Sequence, residues 1–253
     1  MNYDNIVESL TDSAKLNKYN SHITKLENAF KSVIIKGTYE QYRIAPCFML
    51  FTFIDLLRSI AILDNNHMIS AGNIVLRTMF EILLDFLYCE TDRKNLYLRF
   101  GEYKDVNIVL KYESLTKEMQ SQINQEAYNK NILPNYKNFL KKYTIDDKKN
   151  KKPLFTWSGN SIKNRVDIVA KKIPEITNIY YNIYLQNCDY VHNYAETITQ
   201  YGTYENNSID VDYQKKYKQD NFVLMRQTNS LAELFYDEFS KVYSNKKLSD
   251  ICF

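Results

Sequence analysis

Residues 74–90 read IVLRTMFEILLDFLYCE, and the rest of the chain is organised around them. Ile74, Val75, Leu76, Met79, Phe80, Ile82, Leu83, Leu84, Phe86 and Leu87 make the stretch apolar almost all the way round. A helix that is hydrophobic on every side is normally a central, buried one. Four polar residues interrupt it: Arg77, Glu81, Asp85 and Tyr88. At about 100° per residue these four fall within a narrow arc, a polar stripe on an apolar cylinder. Arg77 and Glu81 are i, i+4 neighbours and can pair. Taking a charge out of water costs several kcal/mol unless it is paired and hydrogen-bonded. A polar stripe on a buried helix therefore spends stability, and function is one reason to do so.

Working outward, the 253 residues are enough for a sizeable core. Hydrophobic residues are 45% and charged residues 25%, as expected of a soluble globular chain. With only 5 Gly and 4 Pro, long helices are favoured over a turn-rich β fold. The 22 Tyr and 13 Phe fit an aromatic core, or a surface on which bases stack. A net charge of +3 is too small to announce a nucleic-acid binder. Cys47, Cys89, Cys188 and Cys252 are far apart with no CxxC, which fits reduced thiols in a cytoplasmic protein. The start, MNYDNIVESLTDSAK, is polar and acidic, unlike a signal peptide. Ala45 to Leu63 is long enough to span a membrane, but Asp55 and Arg58 lie inside it, so a buried core helix and no membrane is the expectation.

Apolar spacing predicts a helix, or two, over 4–36, with Gly37 as its stop. The next helix covers about 40–64, bent near Pro46, with Asp55, Arg58 and Ser59 on a face that can meet the polar stripe. The central helix begins by Ser70 and ends near Thr91, and another follows over about 92–115. Residues 116–131 are polar and helical in composition, and Pro134 is expected to break them. Residues 144–153 form a linker-like loop with a basic run. Asn160 or Ser161 is placed to cap a helix to about Lys172, and Pro174 opens the next, to about 200. On that helix Tyr181, Tyr184, Cys188, His192 and Glu196 lie near one face. Residues 201–212 read as a loop and 213–244 as a last amphipathic helix. The expected fold is all-α, a multi-helix bundle around the central helix, in a single domain over 1–253.

Several chemistries lose support. The chain has no GxxxxGK[ST] loop, no GxGxxG, no GxSxG and no HExxH, and its three His are scattered. No cofactor or metal is expected. The remaining constellation is Arg77 with Glu81 on the central helix and His192 with Asp189 on a later one. Histidine titrates near neutrality and suits acid–base work, while a guanidinium binds phosphate and steadies charge on it. Together they would suffice for metal-independent RNA cleavage, with the 2′-hydroxyl attacking the adjacent phosphate. The structural alternative is a buried polar network tying two helices together.

The motifs LRTMFEILLDFLY, LRFGEY, WSGNSIKNRV and YYNIYLQNCDYVHNYA, over about 70–200, resemble the domain of unknown function 5677 family. They supply RxxxE (Arg77, Glu81), a second-helix Arg (Arg99), W-x-G (Trp157, Gly159) and a Tyr184–Cys188–His192 helix. Cys188 stands where the family more usually has Ser, and Asn193 where a Gly is common. The chain is also distantly similar to the HEPN (higher eukaryotes and prokaryotes nucleotide-binding) superfamily, which includes many RNases of toxin–antitoxin and phage-defence systems. Gln186 stands where their Arg precedes the His, so Arg77 or Arg99 would supply the cation. This similarity implies an RNA-cleaving effector with His192, Arg77, Glu81 and Asp189 as catalytic residues. Arg99, Tyr184, Trp157 and Tyr88 would contact substrate. Its partners would be RNA and a cognate antitoxin or defence-system protein, and it would form a homodimer with the site across the interface. Two other functions fit the residues: a non-enzymatic helical module binding protein or nucleic acid, and a small-ligand (nucleotide) sensor with the stripe lining a pocket.

Overall fold

A computed structural model describes residues 12–33, 41–143, 156–188, 202–205, 208–211, 223–247 and 251. The protein is all-α. In chain order the helices are α1 (Asp12–Ser32), α2 (Gln41–Asn65), α3 (Ile69–Cys89), α4 (Arg93–Ser114), the short α5 (Lys117–Ser121) and α6 (Gln125–Ala127). A π-helical turn, Tyr128–Ile132, leads into α7 (Leu133–Tyr143). Then come α8 (Ile162–Val169), α9 (Glu175–Ile179), a second π-helical segment over Tyr180–Leu185, and α10 (Val223–Tyr243). Strands β1 (Gly202–Glu205) and β2 (Ser208–Val211) pair antiparallel, with Gly202 opposite Val211 and Glu205 opposite Ser208.

The central helix α3 packs against α2, α4, α8, α10 and the second π-helical segment. Leu76, Met79, Phe80, Leu83, Leu84 and Phe86 are fully buried, as the near-continuous apolar sequence requires. Two positions let α10 come close. A Cβ on Gly72 would meet the end of the Leu224 side chain, which would have to shift to admit it. The buried Asp64 carboxylate, at the end of α2, accepts the backbone N–H of Met225 at 2.9 Å and so satisfies the start of α10. Phe86 then stacks on Phe235 with centroids 4.7 Å apart, and Phe53 of α2 meets Phe235 edge-on at 4.8 Å. Each such ring contributes about 1.5–3 kcal/mol when withdrawn from water. Much of the aromatic load is therefore core.

At the far end of α3 one carboxylate ties three helices. Glu90 accepts from Tyr97 of α4 at 2.8 Å, from Tyr243 of α10 at 2.5 Å, and from Arg93 Nε at 2.6 Å. Both tyrosines are fully buried, and the Glu90 carboxylate accepts from both hydroxyls.

Several expectations change. Asp55 and Arg58 do not reach the polar stripe: Arg58 pairs with Glu27 of α1 at 2.6 Å and with Asp55 at 3.1 Å, on the exposed side of α2. Arg43–Asn65 passes the length and apolarity test for a membrane span, yet α2 packs against α1, α3, α4 and α10. Pro46 lies inside α2, near its start. Pro134 does not end its helix: it follows a π-helical turn, within the first turn of α7. The stretch expected as a loop over 201–212 contains β1 and β2, where Thr203, Tyr204, Ile209 and Val211 are strand-forming residues. Residues 4–11, 34–37 and the polar loop at 144–153 lie outside the described residues.

Candidate functional site

The polar stripe of α3 makes two clusters, one per half. In the first, Arg77 Nη2 lies 2.9 Å from Glu81 Oε1, the pairing that i, i+4 spacing requires. The same nitrogen donates to the Tyr184 hydroxyl at 3.1 Å, and the guanidinium lies over the Tyr184 ring, 5.0 Å from its centroid. Cys188, one turn further on, also contacts Arg77. Burial alone would lower the Arg77 pKa, but the bond to Tyr184 and the charge of Glu81 more than offset it, and the net direction is up. Burial pushes the Tyr184 phenol up to about 12, against the pull of Arg77. The pair is thus a fixed cation beside a neutral phenol.

The π-helical segment explains which residues point inward. With the wider turn at Tyr180–Leu185, Tyr180 and Tyr184 stack at 5.5 Å and pack on Phe80. Tyr181, expected on the same face, is exposed instead.

In the second cluster, Asp85 forms an ion pair with Arg165 of α8 and accepts from Trp157 Nε1 at 3.3 Å. Trp157 packs edge-on against Tyr88 (5.7 Å) and Phe100 (5.1 Å). Asn160 Nδ2 donates to the Tyr88 hydroxyl at 2.9 Å. The turn that sets Trp157 and Asn160 in place needs Gly159, whose φ is 68°, in the region L side chains rarely adopt. The Ser161 side chain then caps α8 through the Asn164 N–H at 3.1 Å, choosing between the two expected caps.

Arg165 is the residue sequence reasoning missed. It is 5% exposed, and burial lowers its pKa while Glu81 and Tyr184 oppose that shift. Glu81 and Tyr184 therefore act on both arginines, and the two clusters form one electrostatic unit. The signal was available: Arg165 shares the inward phase of Ile162, Val166 and Val169.

Two cavities flank the stripe. One, about 520 Å³, lies between α2, α3 and α4; Ile44, Phe48, Met49 and Ile82 make its wall apolar. The other, about 400 Å³, carries Glu81, Asn107, Thr156, Trp157 and Arg165. Asp85, Phe100 and Lys104 line both.

Of the residues expected at the site, Arg77, Glu81 and Tyr184 come together, and Tyr88 and Trp157 join them through Asp85. Arg99 does not. Its guanidinium lies over the Tyr143 ring, 5.0 Å from the centroid, and burial lowers its pKa. His192 and Asp189 lie outside the described residues. Among the described residues no three His, Cys, Asp or Glu side chains are grouped to hold a metal ion.

A family model matches residues 43–210, spanning α2 through β2 and every residue of both clusters. The chain belongs to DUF5677, a family of unknown function. The family region thus contains the stripe and both cavities, while α1 and α10 fall outside it. No curated protein and no solved structure matches the chain.

Proposed function

We propose that this DUF5677 protein is a small-ligand-binding helical module, a sensor whose site is the stripe of α3. The observation carrying this reading is the junction of the two cavities at Asp85, Phe100 and Lys104. Ligand sites are concave and mostly apolar, of roughly 300–1,000 Å³, with a few placed polar groups. The 520 Å³ cavity has that size and wall, and the charged half beside it provides the placed groups. The test is a thermal-shift panel of nucleotides and other small metabolites on the wild type and on Phe48→Asp. A ligand at a hundred times its Kd adds about 2.7 kcal/mol to stability. A rise in Tm that Phe48→Asp abolishes supports the reading; a panel that moves neither protein counts against it.

A second reading is favoured by one contact. Arg77 reaches Cys188, which stands four positions before His192 in the sequence. In that reading the protein is a cytoplasmic, metal-independent RNase of a phage-defence or toxin–antitoxin system, homodimeric and held by a cognate antitoxin. His192 and Asp189 move the proton, and Glu81 orients Arg77 on the phosphate. End-labelled total RNA in EDTA tests it: cleavage by the wild type but not by a folded His192→Ala supports it, and cleavage by neither rejects it.

A further inference from the structure

Away from the stripe, α1 and α10 enclose a cavity of about 230 Å³, lined by His22, Lys25, Ala232, Glu233, Tyr236 and Asp237. Glu233 and Asp237 are i, i+4 neighbours and so share one face of α10. His22 meets that face from α1. Its side chain is 7% exposed, and its Nε2 stands 3.8 Å from Glu233 Oε1 with no hydrogen-bond partner. A buried polar nitrogen left unpaired costs stability, so its presence on a cavity wall asks for a ligand atom.

The protonation of His22 says which kind of atom. Burial lowers its pKa, Glu233 opposes that shift, and Lys25 and Lys18 add to it, so the ring is neutral near pH 7. With the proton on Nδ1, Nε2 is a lone-pair acceptor. Three acceptors then line one space: this nitrogen and two carboxylates. Each carboxylate has about four lone-pair sites, so it accepts from a ligand alongside its other contacts.

Charge and bond length narrow the partner. With His22 neutral, Glu233 and Asp237 against Lys25 leave the lining one negative charge in excess, which favours a cation. A metal ion needs bonds of about 2.0–2.2 Å, and among the described residues no three His, Cys, Asp or Glu side chains are grouped to hold one. Hydrogen bonds are longer, about 2.7–3.2 Å, and a nitrogen at that length from both His22 Nε2 and Glu233 Oε1 fits over their 3.8 Å gap. A primary ammonium carries one positive charge and three N–H donors, one for each acceptor. Lys25 is exposed, and it is the cation against which an incoming ammonium competes.

We propose that the cavity between α1 and α10 binds a small primary aliphatic amine. Its ammonium donates to His22 Nε2, Glu233 and Asp237, and its short carbon chain lies against Ala232 and the Tyr236 ring. The site shares no residue with the stripe and stands independently of the function proposed above.

The test uses the full chain at pH 7.5 and constant ionic strength. The probe is n-butylammonium, and the His22 ring resonances, assigned with His22→Gln, report its binding. Three molecules of the same chain serve as controls: 1-butanol lacks the charge, butyrate reverses it, and butyltrimethylammonium keeps it without any N–H. The probe is expected to shift the His22 signals saturably, with each control at least tenfold weaker. Asp237→Asn and Lys25→Met, both at exposed positions, should act in opposite directions. The first removes a charged acceptor and should weaken the amine about fivefold. The second removes the competing cation and should tighten binding about threefold. No saturable shift in either the wild type or Lys25→Met overturns the proposal. Butyltrimethylammonium binding as well as the probe, an affinity unchanged by Asp237→Asn, or a site that answers to Zn²⁺ and not to the amine overturns it equally.

Discussion

Asp85 and Arg165 are 80 positions apart in sequence and form a buried ion pair at the centre of the stripe. The two partners are unequally buried: the Arg165 side chain is 6% exposed and that of Asp85 22%. That asymmetry fixes which truncation hurts more. Asp85→Ala strands a charge deep in the protein, a loss of about 3–5 kcal/mol. Arg165→Met replaces the cation with a side chain of similar length and leaves Asp85 with Trp157 and partial access to water. It is expected to cost less, about 1–3 kcal/mol. Urea unfolding of both variants checks the order, and the double variant should recover part of the Asp85→Ala loss.

Gly159 gives a backbone test of the same site. With φ at 68°, an alanine there is strained by about 1–2 kcal/mol. The turn carries Trp157 and Asn160 on to Asp85 and Tyr88, so Gly159→Ala should also shift the emission of Trp157, the single tryptophan. A drop in Tm with unchanged emission would separate strain from the positioning role.

His22 is buried between α1 and α10, with Nε2 3.8 Å from Glu233. Burial lowers its pKa first, Lys25 and Lys18 add to that, and Glu233 opposes. Below the ordinary histidine value of about 6.5 the unfolded chain binds the proton more readily than the folded one. Stability from this group is therefore full above that pH and falls as the pH drops through 6.5 towards the lowered folded value. His22→Gln should flatten that part of the profile. Urea midpoints at pH 7.5 and 5.5 measure it: the wild type should lose more between the two than the variant.

Asp64 behaves in the opposite sense. Burial raises its carboxyl above the usual range, against the pull of the Met225 and Leu224 N–H groups. Between the unfolded and the raised folded value the folded state holds more protons, so this group adds stability as the pH falls through that window. Asp64→Asn keeps an acceptor for the Met225 N–H and removes the buried charge. The variant should match or exceed the wild type near pH 7 and lose the gain at acid pH.

The sequence made the central helix legible, because an apolar run with four polar residues in one arc has few other homes. It also gave the Arg77–Glu81 pair, since i, i+4 spacing is local. The inward phase of Arg165 was legible on its own helix, but its partner Asp85 was not, because it lies on another helix. Asp55 and Arg58 misled for the same reason: their helical phase was clear, but their partner Glu27 sits on α1. The π-helical turn at Tyr180–Leu185 rotates Tyr181 outward and Tyr184 inward, and a 3.6-residue period cannot foresee it. The two cavities are spaces between helices, and no spacing within one helix encodes them.

The central claim is that the stripe of α3 lines a ligand site, and Trp157 is built into that site's wall. The most direct measurement is therefore Trp157 emission during titration with N-phenyl-1-naphthylamine, a neutral aryl amine suited to an apolar wall, in the wild type and in Phe48→Asp. A saturable change in the wild type, absent from the folded variant, is the predicted result. A flat titration in both, or an equal change in both, would contradict it.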